Sequence, residues 1–371
     1  MKRGFFILSI LAVLTVSCGR TDLSEHGTLP LVREIIQNTD NPFHKILASS
    51  TALNPSGNIY ILGNEDAVMH LAEEFARCDT RDNIDGSLKF DGLPDFAGET
   101  ICCCIDSTFS FSKLIEEARN GNDIPLRELT VKSVVGLIDT LCHVGPYDIE
   151  GMGRKQPAKM IILAAPNVAL YAKADIDTLL AAMHCPVPVI CPAEEMYDVV
   201  FSSRQGRDAT MGALVDKNYE DSEVYTALFQ KAASKSGSLA SSFACFPNQT
   251  SNPDSTLVSF IDQYIGNGYT RPLNAIVIDT HDVKLEDMKS SLANLISVMN
   301  EDSMKYGKYF AKDFRFLHTS DAVTSRCYEL LRTNNIFTHN IAKPQIEVYN
   351  TAVNPEDGKS IFLVPGTYVQ N

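Results

Sequence analysis

One stretch near the middle of the chain, Lys159 to Pro192, limits the folds open to it: KMIILAAPNVALYAKADIDTLLAAMHCPVPVICP. An apolar run from Met160 to Ala165 stops at Pro166-Asn167, a helix-like segment runs from about Asp175 to His184, and a second apolar run from Val187 to Cys191 stops at Pro192. Short apolar runs bounded by turn residues and separated by a longer periodic segment read as strand–helix–strand.

Similar units lie on both sides. Upstream, the strand Asn58–Leu62 ends at Gly63-Asn64, and the helix from about Glu65 to Arg77 carries the stripe Val68, Leu71, Ala72 and Phe75. An acidic loop, Asp91 to Glu99, leads into the strand Thr100–Ile105, which ends at Asp106-Ser107. Two helices are predicted over Lys113–Arg119 and Leu129–Leu141, and a Gly-rich loop over Gly145–Lys155. After Pro192 comes a helix, Ala193 to about Ser202, then a polar break, Ser203–Asp208. A second series follows, with strands Met211–Val215, Ser241–Phe246, Ala275–Ile278 and Phe314–Leu317, each followed by a helix. Finally, Gln345–Asn350 and Ser360–Val364 flank a hairpin-like turn. At 371 residues the chain has room for two domains. The expected class is α/β, with two doubly wound lobes of mostly parallel sheet at 57–205 and 206–371. The C-terminal strands are open to exchange between the lobes.

The first residues read as an export signal. Lys2 and Arg3 precede an apolar stretch, Phe5 to Val16, which is too short for a membrane span, and then Ser17-Cys18-Gly19. A small residue before Cys with Gly after it resembles the lipobox of bacterial lipoproteins of the Bacteroidota kind, with Thr15 where Leu is common. The resemblance implies that 1–17 is a signal peptide and Cys18 the lipidated N-terminus, carrying palmitate-type acyl chains. Residues 18–56 read as a lipid-anchored tether followed by a short helix, with Leu31, Ile35 and Ile36 on one apolar face. The protein would then belong to the cell envelope, on the periplasmic face or the outer-membrane surface, held to the membrane by its N-terminal lipid.

The formal charge of −14 argues against a nucleic-acid partner, since phosphate binding needs clustered Lys and Arg. Setting Cys18 aside among the ten cysteines leaves an odd number, so at least one stays unpaired within the chain. Cys102-Cys103-Cys104 fall within one strand, where successive side chains face opposite ways. This is the pattern of small buried hydrophobes rather than a disulfide scaffold. No C-x-x-C pair and no zinc-type His/Cys spacing occurs, so no metal is expected, and no motif calls for a cofactor.

In open α/β sheets the ligand crevice lies at the carboxyl ends of the strands. Here those ends are polar, and the candidate binding residues are Asn64, Asp106, Ser107, Asn167, Glu194, Asp216, Asn248, Asp279, His281 and Ser320. The competing explanation is that such residues cap the helices that follow. Asp279-Thr280-His281-Asp282 is the sharpest cluster, with a His among carboxylates as a general base. Nucleophile-elbow, zinc-protease, P-loop and dinucleotide motifs are all missing.

Two α/β series behind a lipobox resemble the periplasmic-binding-protein-like architecture. Separately, LAAPN at Leu163–Asn167, PVPVI at Pro186–Ile190 and MGALV at Met211–Val215 resemble the Asp/Glu racemase superfamily. That family's two catalytic cysteines would fall at Ala165 and at Asp279 or Thr280, so neither thiol is present. The expected function is solute binding or sensing, with a small polar molecule in the interlobe cleft and a transporter or sensor component as partner. The alternatives are a racemase- or hydrolase-like cleft enzyme using carboxylates and His281, and a surface interaction lipoprotein.

Overall fold

The computed structural model describes residues 27–106, 111–145, 148–216, 222–297, 303–338, 340–353 and 361–367. Two helices open it, α1 (Pro30–Gln37) and α2 (Pro42–Ser49), where the apolar periodicity predicts one. The second starts because Pro42 suits a first helical turn and the Asn41 side chain accepts from Phe43 N at 2.9 Å. Then come β1 (Asn58–Gly63), α3 (Glu65–Arg77), β2 (Thr100–Ile105), α4 (Phe111–Arg119) and α5 (Ile124–Ile138). They are followed by β3 (Leu141–Gly145), β4 (Asp148–Arg154), β5 (Ala158–Leu163), α6 (Pro166–Ala182), β6 (Val189–Ile190) and α7 (Pro192–Arg204). The second series is β7 (Thr210–Val215), α8 (Ser222–Ser236), β8 (Ser242–Pro247), α9 (Pro253–Gly266), β9 (Leu273–Asp279) and α10 (Leu285–Leu295). It continues with α11 (Ser303–Tyr306), β10 (Phe310–His318), α12 (Thr319–Thr333), β11 (Gln345–Val353) and β12 (Ile361–Pro365).

The strands form a six-stranded sheet in the order β12-β11-β2-β1-β5-β6 and a four-stranded sheet in the order β10-β9-β7-β8. Every pairing in the two is parallel except β11 with β12, so the class is α/β with two lobes. The last two strands lie in the first sheet, beside β2. The turn between them, 354–360, lies outside the described residues.

Three expectations need correction. The Gly-rich stretch 145–155 is not a loop: β3 and β4 pair as an antiparallel hairpin, and His143 of β3 stacks on Phe362 of β12 at 4.0 Å. Glycines at 145, 151 and 153 masked its alternation. The helix predicted over 129–141 instead spans 124–138, so Leu141 opens a strand. Helix α6 begins at Pro166, nine residues before the predicted start at Asp175. Its first turns, Pro166 to Ala172, are buried all round, so they carry no amphipathic period to read.

Strand alternation divides the cores. Tyr60, Leu62, Cys102 and Cys104 face one side of the first sheet, packed against α5 and α6. Ile59, Ile61 and Cys103 face the other, under α3 and α12. The cysteine triplet is therefore split across the sheet, as its alternation predicts, and no disulfide joins the described cysteines. One face of the second sheet, with Met211, Ala213, Ala275 and Val277, joins the first core. Its other face packs on α9 and α10. At Gly212 an added Cβ would run into the Phe260 ring, so any larger residue forces that ring to move.

Two buried ionic devices tie distant segments together. Lys159, fully buried at the start of β5, pairs with fully buried Glu99 at 2.5 Å and donates to Pro55 O and Ile336 O, both at 2.9 Å. Glu99 also accepts from Thr338 N at 2.8 Å, which pins the segment after α12. Burial pushes the Glu99 carboxyl up and the Lys159 ammonium down. On the other face, Arg127 holds Asp175 at 2.7 Å and Asp123 at 3.2 Å and donates to Gly27 O at 2.7 Å. Asp175 in turn accepts from Leu29 N at 3.1 Å, which docks the start of the described chain.

Candidate functional site

Each sheet has one point where the connections leave in opposite directions. In the first sheet it lies between β1 and β5, because β2 is added on one side of β1 and β5 on the other. In the second it lies between β7 and β9. Crevices outside such points are where open α/β sheets take ligands, since the two following loops diverge there. Asn64 follows β1, and Ala164-Ala165 follow β5. Asp216 follows β7, and Asp279-Thr280-His281 close β9. At the first point the strands approach closely: Ala164 N donates to Leu62 O at 2.9 Å, and a Cβ on Gly63 would sit 3.2 Å from Ala164 Cβ.

One ring contact joins the neighbourhoods of the two points. His70, on α3 beyond the first, packs at a tilt against His281, just beyond the second, with ring centroids 3.7 Å apart and planes 39° from parallel. Burial first, and then the charges of nearby His281, His318 and Arg77, lowers His70 to about 4, so its ring is neutral at physiological pH. His318, at the end of β10, caps α12 by accepting from Ser320 N at 3.3 Å. Its Nδ1 also lies 2.7 Å from Ser320 Oγ. A ring that accepts at Nδ1 carries its proton on Nε2.

Around the second switch point the polar groups hold one another. Thr280 Oγ1 donates to Asp216 Oδ1 at 2.7 Å, bridging β7 and β9. The Tyr225 hydroxyl of α8 donates to Asp279 Oδ2. Asn248 Nδ2 donates to Asp282 Oδ2 at 3.4 Å, and Asn248 Oδ1 accepts from Thr256 at 3.1 Å. The lobes are stitched beside this network by Thr319 Oγ1 on Met196 Sδ at 3.0 Å and by the Tyr197 hydroxyl on Tyr225 O at 3.2 Å.

The structure thus gathers Asp216, Asp279 and His281 at the carboxyl ends of β7 and β9, with Asn248 joined through Asp282 and Ser320 bonded to His318. Asn64 stands exposed at the first switch point, and its side chain makes no capping bond to α3, so helix capping does not account for it. Asn167 is buried in the first turn of α6. Asp106 accepts from Thr351 at 2.8 Å, on the β11 side of the first sheet. Glu194 points into a separate side groove of about 720 Å³, where it pairs with Lys231 at 2.9 Å and Lys173 at 3.9 Å. Ser107 and Cys18 lie outside the described residues.

Two contributors were not anticipated. His70 lies off the apolar stripe of its helix, and only its position soon after a switch-point strand marks it. Tyr225 is a buried aromatic that nothing distinguishes in sequence. Among the described residues no group of three or more His, Cys, Asp or Glu side chains is placed to hold a metal ion. No described helix is long and apolar enough to cross a membrane. Burial pushes eight of the described thiols upward, away from the reactive thiolate: Cys78 and Cys103 up to about 12, and Cys102, Cys104, Cys142, Cys185, Cys191 and Cys327 as well.

No family model matches the chain, and no curated protein matches it. Among solved structures it is similar to the glutamate racemase of Francisella tularensis in complex with D-glutamate, at 13% identity over 81% of this chain and 90% of that one, with a TM-score of 0.45. It is also similar to the RacE1 glutamate racemase isoform of Bacillus anthracis (13% identity, 80% and 89% covered, TM-score 0.43). A third is the Campylobacter jejuni glutamate racemase (13% identity, 81% and 95% covered, TM-score 0.39). Likeness at this level says nothing about the chemistry of this chain.

Proposed function

We propose that the chain takes a small polar molecule into the interlobe crevice and moves a proton on it with imidazole rather than thiol. The observation that carries this reading is the His70–His281 ring contact, one ring from each lobe, which joins the neighbourhoods of the two switch points. Imidazole is a common general base, and His70, lowered to about 4, is a weak one, so His281 is the proposed base. His281 is exposed, whereas its partner His70 is partly buried. Rings 3.7 Å apart leave no room for a ligand between them, so the lobes must part by hinge motion to admit one. The two-cysteine chemistry implied by the racemase resemblance has no support, with Ala165 at the end of β5 and the eight thiols above held protonated.

The test has two arms. Thermal stabilisation by a panel of amino acids, hydroxy acids and dicarboxylates finds the ligand, and proton NMR in D₂O then follows solvent deuterium entering it. Wild type should catalyse exchange, and His281→Ala should bind without exchanging. Binding by wild type with no exchange of any kind would overturn the catalytic reading.

A second reading, solute binding or sensing without turnover, is favoured by the engaged state of the carboxylates. Asp216, Asp279 and Asp106 each already accept a hydroxyl, which suits a fixed recognition frame. On either reading we propose lipid anchoring at Cys18, which would present the crevice at a membrane surface to a transporter or sensor component. Metabolic labelling with a palmitate analogue tests the anchor. Cys18→Ala should lose the label and leave the membrane fraction, and retention of both would refute it.

A further inference from the structure

A recess of about 430 Å³ opens at the amino ends of the first-sheet strands, at the opposite end of the sheet from the crevice. Asn58 opens β1, Thr100 opens β2, Lys155 and Gln156 lie between β4 and β5, and Glu347 and Tyr349 come from β11. Lys155 is 7% exposed, and its Nζ donates to Leu137 O at 2.8 Å, in the last turn of α5, and to Asp139 O at 2.5 Å, just past its end. It lies 4.9 Å from the centroid of the Tyr60 ring.

Four residues on, Lys159 shows what a buried ammonium ordinarily needs, a carboxylate at 2.5 Å. Among the described residues Lys155 makes no such ion pair. In its unprotonated form the amine gives its two N–H bonds to the two carbonyls and keeps its lone pair free. Burial lowers Lys155 to about 8, within reach of neutral pH. Buried lysines of reduced basicity are the ones that condense with carbonyl compounds.

We propose that Lys155 is a carbonyl-capturing amine, and that the recess admits a small polar aldehyde to it. The amine lone pair attacks the carbonyl carbon and forms the C–N bond, and a nitrogen proton passes to oxygen to give the carbinolamine. Loss of that hydroxyl as water leaves the C=N bond, so one aldehyde and one amine give one imine and one water. The protonated imine keeps an N–H for one of the two carbonyls. Asn58, Thr100 and Glu347 set the preference for a polar, hydroxylated aldehyde. Glu347, whose Oε2 accepts from the Tyr349 hydroxyl at 3.2 Å, is the acid–base group lining the same recess.

The probe is glycolaldehyde with sodium cyanoborohydride, which reduces the imine to a stable secondary amine. The full chain is treated at pH 7.5 and at pH 9.5, and the alkylated lysines are mapped by peptide mass spectrometry. At pH 7.5 Lys155 should be modified at least ~10-fold more than exposed Lys45 and Lys312, because far more of it is unprotonated. That excess should shrink at pH 9.5. Lys155→Arg, which keeps donors for the two carbonyls, should unfold at the wild-type temperature and remove the excess labelling. Modification of Lys155 in wild type at or below the level of the two exposed lysines at pH 7.5 overturns the proposal without recourse to any variant.

Discussion

Acidification should weaken the closed arrangement of the lobes through one residue. His70 is lowered to about 4 in the fold, against about 6.5 in an unfolded chain. A histidine whose basicity falls on folding binds fewer protons folded than unfolded. Its contribution is therefore fully present above pH 6.5 and is lost as pH falls from there towards 4. At pH 5 the unfolded imidazole is nearly all protonated and the folded one is about nine-tenths neutral. The linkage relation then gives a loss of about 2 kcal/mol relative to pH 7.5, reduced to ~1 kcal/mol by solvent screening at a ring only partly buried. Urea denaturation at pH 7.5, 6.5, 5.5 and 5.0 on wild type and His70→Gln measures it. Other groups titrate in both proteins, so the difference between the two pH profiles isolates His70. The wild-type profile should fall more steeply by about that amount, and parallel profiles would refute the assignment of His70 to a desolvated interlobe contact.

Further outcomes follow from the packing. Glu99→Gln should lower unfolding free energy by about 3–5 kcal/mol because it strands the fully buried Lys159 ammonium, and the double variant Glu99→Leu/Lys159→Met should recover most of that by urea denaturation. Gly212→Ala should cost about 1–3 kcal/mol through its clash with Phe260, with partial rescue by Phe260→Leu in the same assay. Asp175→Ala removes the acceptor for both Arg127 and Leu29 N, so it should cost about 3 kcal/mol and speed limited proteolysis near Gly27. Tyr225→Phe should leave the unfolding free energy within ~1 kcal/mol of wild type while weakening ligand binding, because Asp279 loses the hydroxyl that orients it.

How much of this was legible in the residues depends on the kind of signal each element carries. The strands read well, because apolar runs such as Met160–Leu163 and Met211–Val215 are buried on both faces and end in turn residues. The first turns of α6 were invisible for the same reason: a segment buried on every side has no polar face to set a period. The hairpin of β3 and β4 was hidden by glycine, whose small side chain erases alternation. For the site, the polar strand ends were visible one by one, but which of them meet depends on strand order. Asp216 and Asp279 come together because β7 and β9 are neighbours, whereas Glu194 follows the edge strand β6 and turns into the side groove. His70 needed the packing of one lobe on the other, a relation between residues more than two hundred positions apart that no local pattern encodes.

The two histidines are also where the functional reading is most directly tested. Imidazole resonances of ring-labelled protein can be followed while a molecule from the panel that raises the melting temperature is titrated in. Ligand entry at the contact of the two rings predicts that the His70 and His281 signals shift together and saturably, while those of His44 and His184, on other surfaces, stay in place. A stabilising ligand that leaves both His70 and His281 unmoved would contradict the placement of the site in this crevice.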